Sequence, residues 1–233
     1  MFFPTFDPIY LLFAMPALIL GFGATLFLNY SVKKNNQIET KRKLTGIEIA
    51  EQIGRSENIK FQINLLPDLL SESYDPSSHT LNLSIDSAHG RTITSTAITA
   101  HELGHIVQHQ KNNFLFRIRT GIVPLVNFGT NFGYILLIIG FVLEFSSLAW
   151  LGVIFFSLAT VFALVTVPLE FDASDRAIKI LERNQLIFPS EKPAIKSVLV
   201  AASLTYVAGL FQSLGQLLYF VFRIQGLSRT REE

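Results

Sequence analysis

The sequence has no cysteine, and this one absence removes disulfides, thiol nucleophiles and thiolate metal ligands together. Any bound metal must then be held by His, Asp or Glu. An excess of one charge is missing as well: 19 Lys and Arg against 18 Asp and Glu leave a formal net charge of +1. No basic stripe with interleaved aromatics occurs, so a nucleic-acid partner is not expected. Repeats and low-complexity segments are also lacking.

What the chain does have is apolar sequence. A hydrophobic content of 49% exceeds that of most soluble proteins and points to a membrane. Residues 9–28 carry no charged side chain and, at about 1.5 Å per residue, are long enough to cross a hydrocarbon core of about 30 Å. The run follows Asp7 and ends at Asn29, ahead of Lys33 and Lys34. A secretory signal would begin basic and end at a small-residue cleavage site, so a retained anchor is expected. Two further runs, 122–143 and 147–167, are separated by a few residues around Glu144. So short a connection predicts an antiparallel membrane hairpin. Asn127, Thr130, Asn131 and Tyr134 share one face of its first helix and are expected to turn toward other helices. A fourth run, 198–222, either spans or is re-entrant.

The intervening sequence is polar. Thr45-Gly46-Ile47-Glu48 has the spacing of a capping box, with Ile47, Ala50, Ile53 and Gly54 as the buried side of a short helix. "KFQINLL" and "TLNLSI" alternate apolar and polar residues and read as half-buried strands. Between them "YDPSS" is turn chemistry, and a helix of about five turns follows Gly90. The expected fold is therefore mainly α and integral to a membrane, with about four transmembrane helices and a small α+β segment. Its parts are an anchor at 1–30, a polar segment at 31–120, the hairpin at 121–168, a second polar segment at 169–197, the fourth helix at 198–222 and a polar tail at 223–233.

Within the five-turn helix, "TAITAHELGHIVQHQ" (96–110) contains His-Glu-x-x-His. Residues four apart share a helical face, so His101 and His105 can converge on one ion. Glu102 lies beside that ion rather than on it, where its carboxylate can accept a proton from an activated water. Gly104 costs a helix roughly 0.8–1 kcal/mol relative to Ala, which suggests close packing or substrate approach at that point. His109 lies one turn too far along for the same ion and is expected to hydrogen-bond nearby or pack at the membrane edge. His79 and His89 sit beside turn signals and read as solvated.

Carboxylates remain as a third ligand. "PLEFDASDRA" (168–177) follows the third apolar run, and two crossings of the hairpin return Glu170, but not Glu144, to the side of His101. Ligation by Glu170 is expected ahead of its alternative, an interfacial acid paired with Arg176. Asp172 or Asp175 can orient a ligating histidine.

"YDPSSHTLNLSIDSAHGRTITSTAITAHELGHIVQH", followed by "EFDASDRA" and "AASLTYVAG", resembles the YugP-type membrane-associated neutral zinc metallopeptidases over most of the chain. More distantly, it is similar to the HtpX-type and prenyl-protein membrane proteases. The resemblance implies a zincin-like catalytic segment with one Zn2+ held by His101, His105 and Glu170, and with Glu102 as general base. Those distant proteases commonly carry Asp four residues after the third ligand, where this chain has Ser174. Gluzincins tend to bind substrate backbone along an edge strand, which makes "TLNLSI", with Asn82, a candidate; a plain structural strand is the alternative. Tyr206 and Arg176 are candidates for stabilising an oxyanion.

The expected activity is hydrolysis of peptide bonds in membrane or membrane-proximal proteins, with the lipid bilayer and a protein or peptide substrate as partners. Lys33, Lys34, Lys41, Arg42 and Lys43 follow the first helix, and Lys111, Arg117 and Arg119 precede the second. The positive-inside rule therefore places the catalytic segment on the cytoplasmic side of a multi-pass protein of the cell membrane. Arg223, Arg229 and Arg231 run against that count. A non-catalytic scaffold with a structural metal is the competing class. A transporter is disfavoured because no charged residue lies within the apolar runs.

Overall fold

The computed structural model describes residues 7–67 and 71–229. The chain separates into two units. In sequence order it forms α1 (Pro8–Asn35), α2 (Gly46–Ser56), β1 (Gln62–Leu66), β2 (Ser73–Asp75), β3 (Thr80–Ser84), α3 (Ile85–His89), α4 (Ile93–Gln110), α5 (Phe114–Val142), α6 (Ser146–Arg183) and α7 (Lys192–Arg229). Four of the described helices, α1, α5, α6 and α7, are long and apolar enough to cross a membrane. Each of these four supplies residues to both units.

The first unit holds residues 7–23, 118–167 and 206–229. Its α5 and α6 segments pack through glycine. A Cβ on Gly133 would lie 2.7 Å from the Phe156 nitrogen, and one on Gly140 would lie 2.6 Å from that of Ala149. Such backbone proximity is how helices associate where lipid offers no hydrophobic drive. Glu144, in the turn between them, adopts a left-handed φ of 53°. Leu137, Phe141, Val153, Phe156, Tyr219 and Phe220 form this unit's core.

The expectation for the polar face of α5 is corrected here. Asn127, Asn131 and Tyr134 are exposed while Thr130 is half-buried, and the packed face is the one bearing Gly129, Gly133, Leu137 and Gly140. Asn131 satisfies its amide on its own helix, donating to the Asn127 carbonyl at 2.8 Å. Close helix approach selects small residues, and the glycines are smaller than the amides.

The second unit holds Ala24–Arg117 and Pro168–Thr205. Thr45 caps α2 with both bonds of the box: its side chain accepts from Glu48 N, and Glu48 accepts from Thr45 N at 2.8 Å. That backbone bond, the stronger influence, and the Thr45 hydroxyl hold the Glu48 carboxyl below its usual range. The buried side of α2 comprises Gly46, Ile49, Ala50, Ile53 and Gly54. Ile49, rather than Ile47, joins Ile53 as a fully buried isoleucine.

Three strands form a sheet in the order β1-β3-β2, with β1 parallel and β2 antiparallel to β3. The "TLNLSI" strand is thus central, which overturns its reading as an edge. Gln62–Leu66 pairs along one side of its whole length, and Ser73–Asp75 pairs with Thr80–Asn82 on the other. The final Ile of that string opens α3 instead, behind the Ser84 cap. Leu81 and Leu83 face the core, where they join Ile53, Ile93, Leu103, Leu169 and Leu181.

Candidate metal centre

α4 begins at the Thr92 cap, whose side chain accepts from Ser95 N, and buries Ala97, Ala100, Leu103 and Ile106 against the unit's core. This leaves His101 and His105 on a flank that meets α6. The α6 helix runs close because Gly104 has no side chain: a Cβ there would lie 2.5 Å from the Ala173 carbonyl oxygen. One turn before Ala173, Glu170 then reaches both imidazoles.

Glu170 Oε2 lies 3.1 Å from His101 Nε2 and 3.4 Å from His105 Nε2. Ligands about 2.05 Å from one tetrahedral ion stand about 3.3 Å apart, so the two separations to Glu170 are those of a shared coordination sphere. Both histidine side chains are 13% exposed and that of Glu170 is 2% exposed. Burial alone would raise the Glu170 carboxyl, but hydrogen bonds from the two histidines outweigh it and hold it down at about 2. For His105 burial acts downward, and the net shift is upward because Glu170 and the nearby charge of Glu102 favour the imidazolium. Glu102 itself is buried.

The outward nitrogens of both imidazoles are also engaged. His105 Nδ1 is 2.9 Å from Gln108 Oε1. The Gln108 amide is oriented by donating from Nε2 to the Leu169 carbonyl at 3.0 Å and to Asp172 Oδ2 at 2.8 Å. Its oxygen therefore faces His105, so that ring carries a proton on Nδ1, and Nε2, which points at Glu170, is the nitrogen that would give up its proton to ligate a metal. His101 Nδ1 lies 3.2 Å from Ser174 Oγ, which meets Ser203 Oγ at 3.3 Å. Ser203 donates in turn to the Leu199 carbonyl.

A family model described as "Putative neutral zinc metallopeptidase" matches residues 10–225. The chain belongs to this family. A relative from Bacillus subtilis (strain 168), named "Putative membrane protease YugP", is 34% identical over 221 residues, covering 91% of this chain and 95% of the relative. No solved structure matches. Zinc is the metal the family implies, and the donors fit it: two imidazole nitrogens and one carboxylate oxygen converge with no thiolate needed.

The other expected residues divide. Asp172 acts on His105 through Gln108 rather than directly. Arg176 donates to Asp172 at 2.7 Å, so it pairs with that acid and not with Glu170. Burial would raise the Asp172 carboxyl, and the bonds from Arg176 and Gln108 bring it below its usual range. Asp175 forms an exposed pair with Lys179. Asn82 is bonded within the sheet, accepting from Asn64 and donating to Ser73. Tyr206 belongs to the first unit and is 39% exposed. His109 bonds to Tyr74 Oη at 2.8 Å, away from His101 and His105.

Sequence reasoning missed Gln108 and Ser203. Gln108 stands one turn after His105, where a side chain on the same face can reach back to the ring, and that spacing was the available signal.

Proposed function

We propose that this protein is a zinc-dependent endopeptidase that cleaves membrane or membrane-proximal proteins, with His101, His105 and Glu170 as metal ligands and Glu102 as general base. The observation that carries this reading is the convergence of the three donor atoms, all within 4.8 Å of one another. When bound, zinc would lower the pKa of a water and polarise the scissile carbonyl.

The chain's own residues supply the remaining chemistry. Glu102, adjacent to His101 and buried, accepts the water proton and returns it to the departing amine nitrogen. Gln108 and Ser174 hold the Nδ1 edges of the two rings, so that each Nε2 is the nitrogen directed inward and would ligate once it gives up its proton. Glu170 follows Val167, the last residue of the third apolar run, by three positions on one helix, which supports cleavage close to the lipid surface. The basic residues around 33–43 and 111–119 support a cytoplasmic placement of the catalytic segment.

The test is Glu102→Gln in the purified full-length protein. Zinc content is expected to stay unchanged while cleavage of a membrane-tethered peptide is lost. A variant that cleaves as the parent does would remove Glu102 from the reaction. Equal rates on the tethered peptide and its free counterpart would remove the membrane-proximal substrate.

A further inference from the structure

A second set of donor atoms converges about one turn along α4, outside the site described above. Tyr74 Oη lies 2.8 Å from His109 Nδ1 and 3.2 Å from His79 Nδ1. The two imidazoles stack, with centroids 5.3 Å apart and planes 17° from parallel, and Phe116 stacks on His109 at 5.4 Å. Elements distant in sequence build this arrangement: Tyr74 is the middle residue of β2, His79 ends the turn before β3, and His109 lies in the last turn of α4. His79 is held there in a left-handed conformation, φ 51°, which is uncommon for a residue with a side chain. A cavity of about 170 Å³ opens beside the three, lined also by Asn58, Lys60, Ile106 and Gln110.

A single phenol proton cannot serve both rings. Tyr74 donates to one Nδ1, and the other ring must hold its own proton on Nδ1 to donate back. Without those protons, two imidazole nitrogens lie within 2.8 and 3.2 Å of one phenolate oxygen, and a modest turn of the exposed His79 ring would aim both lone pairs at an ion held beside it. Ligands about 2.05 Å from one ion, at angles of 90–109°, stand about 2.9–3.3 Å apart; the observed 3.2 Å lies within that spacing and the 2.8 Å just below it. His79 is exposed and the cavity is open, so an ion has a route in and water can complete its shell. Burial, and then the neighbouring His79, hold His109 below its ordinary pKa, which keeps that ring neutral at pH 7 and able to ligate.

We propose that Tyr74, His79 and His109 form a second metal site, specific for a borderline divalent cation such as Zn2+ or Cu2+, which pins the β2–β3 turn to the end of α4. Binding releases one proton, from the phenol, while the ring that donates from Nδ1 shifts its proton to Nε2. The site is separate from His101, His105 and Glu170, and either can exist without the other.

The experiment is a Zn2+ titration of full-length, chelator-stripped protein in detergent, read by calorimetry and by metal content after desalting. Two equivalents are expected for the parent. The variant His79→Ala/His109→Ala should bind one, and His101→Ala/His105→Ala should retain the other. With Cu2+, a visible phenolate-to-metal absorption should appear in the parent and vanish in Tyr74→Phe, a change that keeps the ring in its packing. A single equivalent that disappears with His101 and His105 would overturn this site and leave the proposed catalytic one standing. A single equivalent that disappears with His79 and His109 would do the reverse. Two equivalents unaffected by the His79/His109 change would also overturn it.

Discussion

The Gly104 α-carbon faces the backbone of Ala173 so closely that a Cβ at Gly104 would sit 2.5 Å from the Ala173 carbonyl oxygen and 3.3 Å from its Cα. This contact is with backbone, so no side chain can turn aside to admit a methyl group. It also sets how far Glu170 and Ser174, on either side of Ala173, stand from His101 and His105.

Gly104→Ala therefore opposes two effects. The substitution improves intrinsic helix propensity by roughly 0.8–1 kcal/mol, but overpacking against a fixed backbone costs about 1–3 kcal/mol. Separating α4 from α6 by even a few tenths of an ångström also pulls Glu170 from both imidazoles. A modest fall in melting temperature is expected, with a much larger fall in zinc affinity, at least tenfold. Thermal unfolding and metal titration on the same preparation check this. Unchanged zinc affinity would show that the close approach does not position the ligand.

Gln108→Leu should weaken zinc binding without touching any of the three donors. The leucine fills similar space but removes the bonds from Gln108 to the Leu169 carbonyl and to Asp172 Oδ2, the latter still accepting from Arg176. His105 also loses the acceptor that fixes its tautomer. Removal of such a supporting bond commonly lowers metal affinity about 10- to 100-fold. Ser174→Ala makes the corresponding change at His101 and should fall at the lower end, since that contact is longer, 3.2 Å against 2.9 Å. Equal affinities for parent and Gln108→Leu protein would mean that ring orientation is set by packing alone.

In metal-free protein, Glu170 should make acid sensitivity steep. Its folded pKa of about 2 lies below the ordinary 4.5, so the ionised form contributes stability that is fully present above pH 4.5. That contribution, on the order of a few kcal/mol, is lost as pH falls from 4.5 toward 2. Glu170→Gln should flatten stability across this window. Urea midpoints at several pH values between 2 and 6 measure it, and parallel curves for parent and variant would contradict the assignment.

Much of this arrangement is legible in the residues, because it rests on local rules. Helical spacing places His101 beside His105, Thr45 and Glu48 announce their cap, and a short connection around Glu144 makes neighbours of α5 and α6. Long-range pairing left no comparable mark. β2 is three residues long and buried inside turn chemistry, so the central place of β3 could not be read without knowing that β1 returns parallel to it. Ser174 and Gln108 look like ordinary polar helix residues until α6 is laid against α4. On α5 the inference failed for a physical reason: polarity suggested which face packs, whereas the glycines decide how near a neighbouring backbone can come.

The glycines of the first unit give a test in which one substitution should have opposite signs at two places. At Gly133 a new Cβ would lie 2.7 Å from the Phe156 nitrogen, 2.8 Å from the Gly152 oxygen and 2.9 Å from Phe155 Cβ, whereas at Gly209 nothing lies within 4 Å. Gly209→Ala gains helix propensity with no steric cost, so it should be neutral or stabilising by up to about 1 kcal/mol. Gly133→Ala makes the same gain and must also force α5 from α6, for a net loss of up to about 2 kcal/mol. Reversible unfolding in mixed micelles, with both variants against the parent, reads the difference. Two variants that shift stability alike would mean that the hairpin is held by its larger side chains and not by the approach of its backbones.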